Sequence, residues 1–127
     1  MKSILGILLL VSSMGQASEG LTAELNGKQL TYRYDNGGHY QIRYAEDGVR
    51  YRFLSGKAGD KWWGPFPYKA FKTTNGEYFL GWYEKGFGDQ ITQLVNLQNK
   101  TLYGSGIIVK KSGVVEHFER AQIEKIE

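Results

Sequence analysis

Residues 30–38 read Leu-Thr-Tyr-Arg-Tyr-Asp-Asn-Gly-Gly. Apolar and polar side chains alternate here with a period of two, which is typical of a β-strand and places Leu30, Tyr32 and Tyr34 on one face. The Asn-Gly pair that follows is a strong signal for a tight hairpin turn. The stretch therefore predicts a strand and a turn, with two phenol side chains on the face that the fold must cover.

The start of the chain is typical of a secretory signal peptide. Lys2 gives it a positive end, residues 4–11 are apolar, and Gly-Gln-Ala at 15–17 resembles a cleavage site. The apolar run is too short to span a membrane. We therefore predict cleavage near Ala17, a periplasmic or secreted protein, and a single domain over residues 18–127. The chain has no cysteine, so this domain has no disulfide.

The composition favours an all-β domain. The chain has nine Tyr, six Phe and three Trp beside seventeen Gly and two Pro, so it is rich in strand formers and turn formers. The formal charge of +3 falls to +2 without Lys2, and both signs are interspersed along the chain. Nucleic-acid binding normally requires a concentrated basic face, so we predict no nucleic-acid partner.

Alternating segments separated by turn signals predict about eight antiparallel strands. They cover residues 29–35, 39–44, 49–53, 68–73, 77–84, 90–97, 101–109 and 114–118. Residues 55–67 are predicted as a loop and an edge, because Pro65 and Pro67 cannot donate to a central strand. Residues 119–126 form either a short C-terminal helix or an extension of the last strand. A run of hairpins favours an up-and-down β-barrel, since closure removes the exposed edges.

Residues 78–84 form the second informative stretch, because period two places Tyr78, Trp82 and Glu84 on one face. If that face is interior, burial raises the pKa of Glu84 and suits it for proton transfer near neutral pH. The alternative is a solvated carboxylate at the strand end. Tyr32 and Tyr34 likewise have two readings, as core aromatics or as hydroxyls that hold a ligand.

The order of these motifs resembles the bacterial phenolic acid decarboxylases. The shared pieces are Tyr-Arg-Tyr-Asp-Asn-Gly at 32–37, Tyr-Arg-Phe-Leu-Ser-Gly at 51–56 followed by Lys61-Trp62, and Tyr78 with Trp82-Tyr83-Glu84. The sequence is also similar to the related MoaF-like domains, named for molybdenum cofactor biosynthesis protein F. The resemblance covers roughly residues 30–109, and it implies a lipocalin-like (calycin) barrel.

In the decarboxylases, the corresponding residues line a cavity in which para-hydroxycinnamic acids lose carbon dioxide without a cofactor. The resemblance implies that Tyr32, Tyr34 and Lys61 orient the substrate oxygens and that Glu84 moves the proton. Lys61 stands where those enzymes have an arginine, so a flexible point charge replaces a planar bidentate group. The missing C-terminal extension and the predicted export also depart from the decarboxylases and favour the MoaF-like relatives.

We therefore predict an exported barrel whose interior pocket binds a small aromatic or acidic molecule. The alternative is a decarboxylase-like lyase that uses Glu84, and a third reading is carbohydrate contact through Trp62 and Trp63. We expect no cofactor and no metal site, because cysteine is absent and neither histidine stands in a spacing with acidic or histidine residues that is typical of a metal site. The sequence neither predicts nor excludes a homodimer. The predicted ligand-binding residues are Tyr32, Tyr34, Tyr40, Tyr51, Phe53, Trp62, Tyr78 and Trp82.

Overall fold

A computed structural model describes residues 20–56 and 61–127, which form nine antiparallel strands and no helix. The predicted signal peptide lies outside these residues and stays a prediction. The described part of the chain contains no helix that is long and apolar enough to cross a membrane. The strands are β1 (Gln29–Tyr34), β2 (His39–Ala45), β3 (Gly48–Phe53), β4 (Trp63–Phe66), β5 (Tyr68–Lys72), β6 (Tyr78–Glu84), β7 (Asp89–Asn96), β8 (Thr101–Lys110) and β9 (Gly113–Ile126).

All nine strands belong to one sheet, in the order β4-β3-β2-β1-β9-β8-β7-β6-β5. Strands that pair in the sheet also follow one another in the chain, except that β1 pairs with β9. The edge strands β4 and β5 are separated in the chain only by Pro67, and β4 also contacts β6. The sheet therefore curls into a nearly closed barrel. This confirms the predicted all-β, lipocalin-like, up-and-down architecture.

The hairpin at residues 30–38 forms as its sequence predicts. Tyr34 donates its backbone N–H to the carbonyl of Gly38, and Gly37 has a positive φ of 96°. A residue with a side chain rarely adopts that conformation, which is why glycine follows Asn36. Strand β1 then pairs with β2 so that Tyr32 lies opposite Tyr40. The turn thus sets the register that brings these aromatic side chains together.

The core is built from the inward face of every long strand. Leu30, Ile42, Leu80, Leu102 and Ile123 are almost completely buried and pack in one cluster. Strands β6, β8 and β9 alternate these residues with more exposed ones, as expected for a sheet with one covered face. The aliphatic cluster fills part of the barrel interior, and the aromatic side chains border the rest.

Two elements differ from the sequence prediction. Residues 63–66, predicted as a loop and an edge, form the short edge strand β4 on β3, where Val49 lies opposite Phe66. An edge strand tolerates Pro65 because one side of it needs no donors. Of the two alternatives for residues 119–126, the strand extension is confirmed and the C-terminal helix is wrong. Strand β9 runs unbroken to Ile126, pairing with β8 and then with β1.

Candidate functional site

The barrel interior contains a cavity of about 460 Å³. This volume lies in the range of small-molecule sites in proteins. Aromatic rings from β1, β2, β3 and β6 form much of the wall, and β7, β8 and β9 supply polar and aliphatic side chains. The lining residues are Tyr32, Tyr34, Asn36, Tyr40, Tyr51, Phe53, Trp82, Glu84, Asp89, Ile91, Gln93, Ile108, Lys110, Val115, Glu116, His117, Phe118 and Glu119.

Glu84 is the most buried carboxyl group of the wall, with 2% of its surface exposed. The Tyr51 hydroxyl lies 2.9 and 3.0 Å from its two carboxyl oxygens and donates a hydrogen bond to them. The indole Nε1–H of Trp82 donates to Oε2 over 2.9 Å. These donors come from β3 and β6, so the orientation of the carboxyl group is fixed from two strands.

The environment of Glu84 shifts its proton affinity. Burial raises the pKa of Glu84, and the hydrogen bonds from Trp82 and Tyr51 partly offset that rise. The nearby negative charge of Asp89 raises the pKa of Glu84 further. A carboxyl group of this kind exchanges a proton at a higher pH than a solvated glutamate does. The structure thus places Glu84 in the interior and not at a solvated strand end.

The tyrosines of β1 form an aromatic cluster with Tyr40. The ring centroids of Tyr32 and Tyr34 are 5.4 Å apart in an edge-to-face arrangement, and Tyr32 stacks on Tyr40 with a centroid separation of 5.7 Å. Burial raises the pKa of both Tyr32 and Tyr34, so each keeps its hydroxyl proton at neutral pH. The cluster therefore offers ring faces together with neutral hydroxyl groups.

The strands that form this wall lie within a match to a known protein family. The family model described as phenolic acid decarboxylase (PAD) matches residues 22–125, which is most of the chain. The chain belongs to the phenolic acid decarboxylase family. No curated protein matches it. The family resemblance seen in the motifs is thereby confirmed, and the match extends over β9 as well as over the strands that carry those motifs.

In this member of the phenolic acid decarboxylase family, most of the predicted site residues share one cavity. The cavity brings together seven of them, which are Tyr32, Tyr34, Tyr40, Tyr51, Phe53, Trp82 and Glu84. The remaining predicted residues, Lys61, Trp62 and Tyr78, are not among its lining residues. Among the described residues, no three histidine, aspartate or glutamate side chains are arranged to hold a metal ion.

Lys61 and Trp62 lie against other partners. The Lys61 ammonium group is exposed and sits 4.0 Å from the centre of the Trp63 ring. The guanidinium carbons of Arg43 and Arg52 lie 4.1 and 4.7 Å from the centre of the Trp62 ring. Cations thus already contact both indole rings. The basic residue carried over from the family motif does not reach the cavity wall in this structure.

Tyr78 contributes to a different part of the barrel. Its hydroxyl donates to Glu24 over 2.9 Å, and Lys72 forms an ion pair with the same carboxylate. Period two correctly places Tyr78 on the inward face with Trp82 and Glu84, and its side chain is buried. The strand is long enough, however, that its first residue lies beyond the cavity that its last residue lines.

Sequence analysis missed the polar residues of β7 and β9. Gln93, His117 and Glu119 line the cavity, although no motif marks them. The signal that could have found the last two is alternation across residue 118, because His117, Glu119 and Ala121 continue one inward face. Treating residues 119–126 as a separate element broke this pattern.

Proposed function

We propose that the barrel binds a small phenolic molecule in its interior cavity. The observation that carries the proposal is the buried carboxyl group of Glu84, held by Tyr51 and Trp82 at the wall of an aromatic cavity. Ring faces of Tyr40, Phe53 and their neighbours would contact an aromatic ligand. Glu84 would accept a hydrogen bond from a ligand hydroxyl, which fixes the ligand's orientation as well as contributing affinity.

Decarboxylation of a para-hydroxycinnamic acid is the second candidate, favoured by the family match and by the raised pKa of Glu84. Protonated Glu84 would give its proton to the alkene carbon that bears the carboxylate, while the phenol loses its proton to water. The resulting quinone methide then breaks the bond to the carboxylate. Carbon dioxide leaves, and the electron pair forms the vinyl group and a phenolate that takes up a proton.

The two candidates differ in whether the ligand needs a positively charged partner in the cavity. Lys110 is the only lysine or arginine among the described lining residues, whereas four carboxyl groups line the same cavity. A substrate carboxylate would therefore find few positive partners, since Lys61 lies against Trp63. Binding of a neutral phenol needs no such partner. This difference is why we place binding before catalysis.

Filling the cavity tests the binding proposal. Ile108 lines the cavity, and Val109, the next residue on β8, is exposed. We expect wild-type protein to bind 4-vinylphenol in a calorimetric titration. Ile108→Phe should weaken that binding at least about tenfold, because the added ring occupies ligand space. The matched variant Val109→Phe adds the same side chain on the outside and should leave the affinity unchanged.

Three outcomes decide the proposal. Weakened binding in Ile108→Phe alone supports an interior site. Equal weakening in both variants would place the ligand elsewhere or show a general loss of structure, which thermal unfolding of the two variants would reveal. Absence of binding by the wild-type protein to both 4-vinylphenol and para-coumaric acid would overturn the proposal.

A further inference from the structure

A second polar group of the cavity lies where β1 meets β9. The Tyr34 hydroxyl is 3.2 Å from Nε2 of His117, and the two rings meet edge to face with centroids 5.0 Å apart. Burial lowers the pKa of His117, so its ring is neutral at neutral pH. A neutral imidazole has one nitrogen that accepts a hydrogen bond and one that donates. Because one hydrogen bond joins the pair, one donor and one acceptor remain for a further partner.

The pair exists because β8 carries glycine beside it. A Cβ atom added at Gly104 would lie 2.7 Å from the Tyr34 hydroxyl oxygen and 3.0 Å from Nε2 of His117. Both distances are shorter than ordinary contacts of a Cβ atom. Gly106 lies opposite His117 in the strand register and likewise has no side chain. Gly104 thus leaves the interior space that Tyr34 and His117 occupy, whereas a Cβ atom at Gly106 would meet Gln90 and Ile91 instead.

Glu119 adds a negative charge near this pair. It lies two residues after His117 on the inward face of β9, opposite Gly104, and it lines the cavity. Its negative charge adds to burial in raising the pKa of Tyr34. At His117 the same charge raises the pKa and so opposes burial, which lowers it. A ligand carboxylate placed here would meet a like charge, which disfavours binding.

We propose that Tyr34, His117 and Glu119 form a site that selects a hydroxyl group and disfavours a carboxylate on the ligand. The inference rests on the proposed function, because it concerns the side chain of a phenolic ligand in the same cavity, at the end away from the phenol hydroxyl. Tyr34 and His117 can donate to and accept from an alcohol at once. The preferred ligand class is therefore a phenol that carries an aliphatic alcohol, in place of a phenolic acid.

A pair of probes of nearly equal shape tests this. para-Coumaryl alcohol and para-coumaric acid differ in whether the side chain ends in a hydroxymethyl group or a carboxylate. In calorimetric titrations at neutral pH we expect the alcohol to bind about tenfold more tightly to the wild-type protein. Glu119→Gln should shrink this ratio at least about threefold by improving acid binding. His117→Phe should weaken alcohol binding roughly 2- to 10-fold, the size of one lost hydrogen bond.

Glu124→Gln is the matched control. Glu124 lies on the same strand and carries the same charge, but it is on the outer surface, where it pairs with Arg33 and His39. Its removal should leave the ratio of the two affinities unchanged. Equal or tighter binding of the acid to the wild type, or an unchanged ratio in Glu119→Gln, would overturn the inference and leave the proposed phenol site standing. Binding of neither probe would overturn the inference, and the titration with 4-vinylphenol would then decide whether the phenol site itself stands.

Discussion

If the protein decarboxylates para-coumaric acid, Glu84→Gln is expected to lower that turnover about 10²–10⁴-fold, the usual contribution of one well-placed acid or base. Glutamine keeps an oxygen that can accept from Tyr51 and Trp82, but it has no proton to give to the alkene. Ligand affinity should therefore change far less than the rate. The measurement is the appearance of the vinylphenol absorbance after para-coumaric acid is added at high protein concentration.

Glu46→Gln serves as the control for this prediction, because Glu46 is exposed in the turn between β2 and β3. If the wild-type protein turns over para-coumaric acid, Glu46→Gln should do so at the same rate. Wild-type turnover that survives in Glu84→Gln would remove Glu84 from the chemistry. No turnover by the wild-type protein would remove the decarboxylase candidate and leave the binding proposal to its own tests.

Tyr44→Ala is expected to destabilise the protein by about 3–5 kcal/mol, the range for removing a large buried aromatic side chain. Tyr44 has 1% of its surface exposed, and its hydroxyl donates to Oε1 of Gln93 over 2.7 Å. Gln93 is equally buried, so losing Tyr44 leaves a void and an unpaired carbonyl oxygen together. Urea-induced unfolding followed by circular dichroism measures the loss.

Two further variants separate the parts of this effect. Tyr44→Phe keeps the ring and removes only the hydroxyl, so it should cost about 1–3 kcal/mol for the unpaired Gln93 oxygen. Tyr83→Ala removes the same type of side chain from the outer face of β6, where 54% of it is exposed. It should change stability by no more than about 0.5 kcal/mol. Equal losses in Tyr44→Ala and Tyr83→Ala would contradict the described core.

Much of the fold follows from short-range pattern. Alternation and turn residues predict β1 to β3 and their hairpins, because in a sheet with one covered face the side-chain period alone decides which residues point inward. The same rule fails for residues 63–66. There, Pro65 within the segment and Pro67 after it conceal a strand that depends on pairing with β3. Pairing between two segments is not visible in either segment alone.

The site was only half predictable for the same reason. Tyr34 and Glu84 stand in recognisable motifs, so the face that each shares with its apolar neighbours follows from the sequence, whereas the burial of Glu84 does not. His117 and Glu119 enter the cavity because β9 passes between β8 and β1, a long-range arrangement that closes the barrel. Lys61 was placed by its position in a motif, but it follows a segment without periodicity. Its actual partner, the Trp63 ring, is set by the local course of the chain.

The indole N–H signals of the protein report most directly on whether a ligand enters the cavity. The chain has three tryptophans, and only Trp82 donates its Nε1–H to Glu84. During a titration with 4-vinylphenol, followed by ¹H–¹⁵N correlation NMR and assigned with Trp→Phe variants, the Trp82 signal should shift and saturate while the Trp62 signal stays in place. A saturable shift of Trp62 with an unmoved Trp82 would contradict an interior phenol site.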